Sequence, residues 1–161
     1  MYAFFFYGTL RDDDLRRIVL GRSVVPSRMV PATLPGYRRI RLVGRSYPAL
    51  IVDPRSAADG CLVGGLDEAT AARVSYYESD DYEATEVRVE TADGVEPAWV
   101  FLPGRAMRMT PAPWDIELWR RRFKPRACAG ARAWMGNPER PELTRLAAGW
   151  RARRLPGIAQ D

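Results

Sequence analysis

Tyr7-Gly8-Thr9-Leu10-Arg11 stands directly after the aromatic run Tyr2 to Tyr7 and just before the acidic segment Asp12-Asp13-Asp14. A run that is apolar on both faces predicts a buried, central strand. The acidic segment predicts a helix over Asp12 to Leu20, with Asp12 as its N-cap. A glycine-bearing turn between a buried strand and a helix start exposes several backbone N–H groups in one place, which suits a carboxylate or another oxyanion. Arg11 beside it is a candidate anion partner. The same residues also read as a tight strand-to-helix connection with Arg11 in solvent.

Proton transfer is constrained by what the chain lacks. Histidine is absent, which removes the commonest general base, the commonest zinc ligand and every Ser-His or Cys-His nucleophile. A carboxylate, tyrosine, cysteine or the single lysine, Lys124, must then carry protons near neutral pH. Cys61 and Cys128 make neither a disulfide framework nor a metal site, and both read as reduced and structural. No metal or cofactor is expected.

The elements that position these groups belong to one globular domain. At 161 residues and 47% hydrophobic content the chain builds a sizeable core. No apolar run is long enough for a membrane span, and the start lacks a signal-peptide pattern, so the protein is expected to be cytoplasmic. The net charge of +5 is carried almost wholly by arginine, which reads as a compositional habit and a solvated face more than as a nucleic-acid footprint.

Strands are expected at Met29 to Thr33, Tyr37 to Leu42, Tyr47 to Val52 and Gly60 to Leu66, separated by a Leu34-Pro35-Gly36 turn and an Arg55 to Asp59 loop. Asp67 should cap a helix over Glu68 to Tyr77 whose apolar stripe is Ala69, Ala72 and Tyr76, with Val74 off it. Tyr82 to Thr91 and Ala98 to Leu102 read as a hairpin closed at Ala92-Asp93-Gly94-Val95. After a linker ending at Asp115, helices begin near Ile116, break at Pro125, and end with a segment from Glu139 or Pro141 to about Arg154. Trp119, Phe123 and Trp134 are expected to face inward, and Leu143, Leu146 and Trp150 to be buried.

Tyr7-Gly8-Thr9-Leu10 behind a hydrophobic first strand resembles the signature of the γ-glutamylcyclotransferase-like (AIG2-like) family. Further likenesses follow in order: Gly36-Tyr37, Tyr47-Pro48-Ala49-Leu50, Gly60 leading to Leu66, and Tyr77-Glu78-Ser79-Asp80-Asp81-Tyr82 where the family has a Phe-Glu-Gly…Tyr element. They cover roughly the first hundred residues. The resemblance implies an α+β fold, a small mixed β-barrel with surrounding helices over 1–103, here followed by a helical C-terminal extension over 111–161.

It also implies a reaction. In γ-glutamyl cyclotransfer the substrate's α-amino group attacks its own γ-carbonyl, forming 5-oxoproline and releasing an amine. One carboxylate serves as base and then acid, if a partly apolar pocket raises its pKa. The family's catalytic glutamate falls on Glu78, and its tyrosine hydroxyl donor on Tyr82. Tyr7, Gly8, Thr9 and Leu10 would supply backbone N–H groups to a small-molecule γ-glutamyl substrate. Two positions depart from the pattern: Ser79 stands where glycine is usual, so a different loop geometry is expected, and Ala84 stands where arginine is common. A non-catalytic carboxylate-binding module of the same fold is the alternative.

Overall fold

A computed structural model describes residues 1–104, 107–136 and 140–153. Its strands are β1 (Tyr2–Phe6), β2 (Arg28–Arg41), β3 (Pro48–Leu66), β4 (Tyr82–Thr91) and β5 (Gly94–Pro103). They close into a barrel in the order β1-β3-β2-β4-β5. β1 and β5 meet in parallel at Phe4 and Trp99, and the other pairs are antiparallel. The helices are α1 (Asp13–Leu20), α2 (Glu68–Glu78), α3 (Ile116–Arg122), α4 (Lys124–Met135) and α5 (Arg140–Ala152).

The aromatic run divides by strand alternation. Phe5 and Tyr7 enter the cluster shared by all five strands, with Leu34, Leu50, Leu62, Val89 and Val100. Tyr2, Phe4 and Phe6 face the helices and pack with Leu15, Val74, Trp119 and Trp150. β1 is thus covered on both sides, as its composition predicts.

Two expected interruptions are absent. β2 runs through Leu34-Pro35-Gly36, and β3 runs through Arg55 to Asp59. Pro35 pairs with Ala57 and Tyr37 with Val52, so Asp53 to Ser56 stand opposite the single Gly36, whose φ is 83°. Asp53 holds this bulge by accepting from the Arg55 N–H and the Ser56 hydroxyl at 3.1 and 2.7 Å. Turn residues here make a bulge within long strands, because pairing on both sides outweighs the local signal.

The stripe expected on α2 holds in part: Ala72 is buried and Tyr76 half-buried, but the buried face is shifted. Ala69 is exposed, while Ala71 and Val74 are fully buried against the helix layer. Alanine-rich sequence carries little phase information, and α1 and α5, packed on α2, decide which face turns inward. The inward face of Thr70, Ala71 and Val74 continues one turn on to Tyr77 and Glu78.

In the C-terminal helices Trp119 and Trp150 are buried, and Leu143 and Leu146 are half-buried. Phe123 and Trp134 lie largely at the surface instead of inside. Phe123 occupies the break between α3 and α4, and Trp134 stacks on Tyr76 with ring centroids 5.0 Å apart. The expected helix start at Glu139 and end at Arg154 lie outside the described residues. Trp150 meets Tyr2, Phe4 and Trp99 edge-on at 5.2–5.3 Å, and the Tyr2 hydroxyl donates to its carbonyl at 2.5 Å.

Asp12 joins this layer to the loop after β1. Its carboxylate is 2% exposed. It accepts the Asp14 and Leu15 N–H groups at 3.1 and 3.2 Å, and pairs with Arg120 at 3.0 Å and Lys124 at 2.9 Å. Burial alone would raise its pKa. The hydrogen bonds from Lys124, the Leu15 N–H and Arg120 outweigh that and leave it below the ordinary value. Its ionised form therefore contributes stability above the unfolded pKa, which is lost as pH falls through the folded one. Asp12→Ala is expected to lower the unfolding free energy by about 2–3 kcal/mol, and Asp12→Asn by less because its amide oxygen still caps α1. Urea denaturation of the two variants beside the wild type measures the difference.

Candidate active site

Several elements end at one cavity of about 160 Å³. The turn after β1 supplies Tyr7 to Leu10, the entry to β3 supplies Tyr47 and Pro48, and the end of α2 supplies Tyr77, Glu78 and Ser79. Asp81, Tyr82 and Phe101 complete the wall, which is that of a small-metabolite site. Among the described residues no arginine or lysine lines it.

The turn is held from outside. Arg39 donates through Nε to the Tyr7 carbonyl at 2.7 Å and is itself anchored on Asp59 at 3.0 Å. Arg16 donates to the carbonyls of Leu10 and Arg11 at 3.1 and 3.2 Å. Gly8 packs so closely on Pro48 that an added Cβ would lie 2.9 Å from its Cγ. The Tyr7 hydroxyl donates to the Phe101 carbonyl at 2.7 Å, and Leu10 belongs to the helix-side core. Thr9–Arg11 is one 3₁₀ turn, closed by Arg11 N–H to Gly8 O and Asp12 N–H to Thr9 O. The N–H groups of Gly8, Thr9 and Leu10 have no backbone acceptor among the described residues.

Glu78 is the last residue of α2 and lines the same cavity. Among the described residues it has no ion-pair or hydrogen-bond partner, and burial pushes its carboxyl up to about 8. Tyrosines 7, 47, 77 and 82 share the wall. Burial raises the Tyr77 hydroxyl, and the neighbouring Glu78 carboxyl adds to the rise.

Two expected roles change. Arg11 turns away from the cavity and pairs with Asp59 at 3.3 Å in a separate groove, so it offers no cation to the turn. Tyr82 does line the cavity, but its hydroxyl donates to the Pro48 carbonyl at 2.9 Å. Its hydrogen is spent on holding the entry of β3. Ala84, where arginine is common, is half-buried against the helix-side core.

Ser79 departs from expectation in the opposite sense. It does take up a glycine-like backbone, at φ 57° and ψ −170°, close to a region nearly exclusive to glycine and costing about 1–3 kcal/mol for other residues. Tyr47, Tyr77, Ser79 and Asp81 were not singled out as site residues. Tyr47-Pro48 and Tyr77 sit within the quoted likenesses, which was the available signal.

Comparison with known proteins bears on the family and the fold. The model of the family described as gamma-glutamyl cyclotransferase, AIG2-like, matches residues 4–121. AIG2-like protein B of Arabidopsis thaliana is 32% identical over 124 residues, 75% of this chain and 70% of that protein. AIG2-like protein A of the same plant is 28% identical over 127 residues, 77% and 75% of the two. A solution structure of an Arabidopsis thaliana protein superposes with a TM-score of 0.59 at 24% identity, covering 88% of this chain and 89% of that one. A structure titled gamma-glutamyl cyclotransferase gives a TM-score of 0.54 at 13% identity, covering 99% and 92%. These two likenesses concern the fold. With a family match spanning most of its length and a barrel of the same fold, the chain belongs to the AIG2-like gamma-glutamyl cyclotransferase family.

Proposed function

We propose that the protein is a γ-glutamylcyclotransferase-type enzyme, releasing 5-oxoproline from a γ-glutamyl amine or γ-glutamyl-amino acid. The observation that carries this reading is Glu78: a carboxyl without ionic or hydrogen-bonded partner, on the same cavity wall as the uncommitted N–H groups of Gly8, Thr9 and Leu10.

The substrate's α-amine attacks its own γ-carbonyl, so a new C–N bond forms within the molecule. Glu78 takes the amine proton and returns it to the departing nitrogen as the original amide bond breaks. Its pKa of about 8 is close to that of an α-amino group, about 7.7–8.0, so both transfers run without a large uphill step. The N–H groups of the turn receive the glutamyl carboxylate or the developing oxyanion, a task that falls to backbone because the wall has no cationic side chain among the described residues. Confinement of the bent substrate supplies the rest of the rate.

A nucleic-acid role is disfavoured because many arginines already have acidic partners, among them Arg28 with Glu96, Arg38 with Asp53 and Arg145 with Glu142. Among the described residues no helix is long and apolar enough to cross a membrane. A carboxylate-binding module without catalysis remains the second reading, since the turn alone suffices for it.

Assay of 5-oxoproline release from a panel of γ-glutamyl compounds separates the two. Glu78→Gln is expected to lower release by about 10²–10⁴-fold, and wild-type kcat/KM should rise with pH through about 8. No release by the wild type from any compound sinks the enzyme reading and leaves the binding module. Stability offers an independent check. Because the folded carboxyl titrates near 8 against an ordinary 4.5, the folded state binds the extra proton between these values and wild-type stability declines across that window. Melting temperatures should therefore place Glu78→Gln above the wild type at pH 8–9, with the two converging below about pH 4.5.

A further inference from the structure

We infer that Ser79 is a specificity-determining residue that contacts substrate, donating its hydroxyl hydrogen to an oxygen acceptor on the γ-glutamyl compound beside Glu78; this rests on the reaction proposed above.

The first observation is backbone strain. Ser79 is the one non-glycine residue with positive φ among the described residues. The position calls for glycine, and a side chain there is held against its own preference by the Glu78–Asp81 turn. Strain of this kind is kept where the surrounding structure and the task of the site require it.

The second observation is where the side chain stands. Ser79 is exposed, directly follows Glu78 and lines the cavity. Its oxygen accepts only a long contact from the Asp81 N–H, at 3.5 Å, so its own hydrogen is unspent. The hydroxyl hydrogens of Tyr7 and Tyr82 go to the Phe101 and Pro48 carbonyls, and among the described residues no arginine or lysine lines the wall. Thr9, Tyr47 and Tyr77 also bring hydroxyls to this wall; Ser79 is the donor that directly follows the base in the chain. As a donor its partner is a carbonyl or carboxylate oxygen of the substrate, whereas an alkyl group would gain nothing from it.

Two substitutions separate hydroxyl from backbone. Ser79→Ala keeps the Cβ and its strain and removes only the donor. It should raise KM for the preferred γ-glutamyl compound by about 3- to 10-fold with kcat little changed, and leave Tm where it was. Ser79→Gly removes both, and should raise KM by a like factor while raising Tm by about 2–4 °C as strain is released. If both variants keep the wild-type KM, the hydroxyl makes no contact and the assignment falls. If Ser79→Gly loses kcat while Ser79→Ala retains both constants, the backbone geometry and not the hydroxyl matters, and the assignment falls again. A wild type that turns over no γ-glutamyl compound overturns the reaction itself, an outcome separate from either of these.

Discussion

Asp12 is the constraint on which the arrangement turns. It ends the turn that follows β1, begins α1, and is the buried point at which α3 and α4 are attached through Arg120 and Lys124. A buried carboxylate is tolerable only when its oxygens are satisfied, and here backbone donors and two cations do so together. The consequence reaches the cavity. The Thr9–Arg11 turn is fixed from one side by Asp12 and Arg16 and from the other by Arg39 on the Tyr7 carbonyl. Its N–H groups are therefore held in place by charges that never enter the site, and the helices beyond the barrel belong to the machinery that holds it.

The cavity itself follows a different rule. A chain without histidine has few ways to carry a proton near neutral pH, and this one leaves a glutamate with a desolvated carboxyl and no partner. Burial brings this acid toward the range in which an imidazole titrates elsewhere. The tyrosines contribute bulk and scaffolding. Tyr7 and Tyr82 use their hydroxyls to fix strand ends across the barrel. Arg16 and Arg39 hold the carbonyls of the turn, while among the described residues the cavity has no positive side chain on its wall.

Much of this was legible in local sequence, where the signal and its cause lie within a few residues. Asp12, Asp67 and Asp115 each cap the helix that follows them, because an N-cap needs only a short acceptor and the next N–H groups. The aromatic run announced a strand covered on both faces, and the order of the Tyr-Gly-Thr-Leu and Tyr-Glu-Ser elements pointed to Glu78 and the turn sharing a site.

Residue types and spacing by themselves determined a histidine-free chemistry, the helix caps and the central strand, while the candidate residues of the cavity came from the likeness of the Tyr7–Leu10 and Tyr77–Tyr82 elements to the family's pattern. Tertiary structure alone decided how β2 and β3 run through Pro35-Gly36 and Asp53-Pro54, since pairing partners many residues away outweigh a turn signal. It also decided the phase of α2, where neighbouring helices select Val74 over Ala69. The partners of Arg11 and Tyr82, and the strained backbone of Ser79, depend on groups brought together by barrel closure. The physical reason is common to all of these. Caps and strand composition are energies of neighbouring residues, whereas register, helix phase, hydrogen-bond commitment and carboxyl desolvation are energies of groups that meet only when the chain has folded.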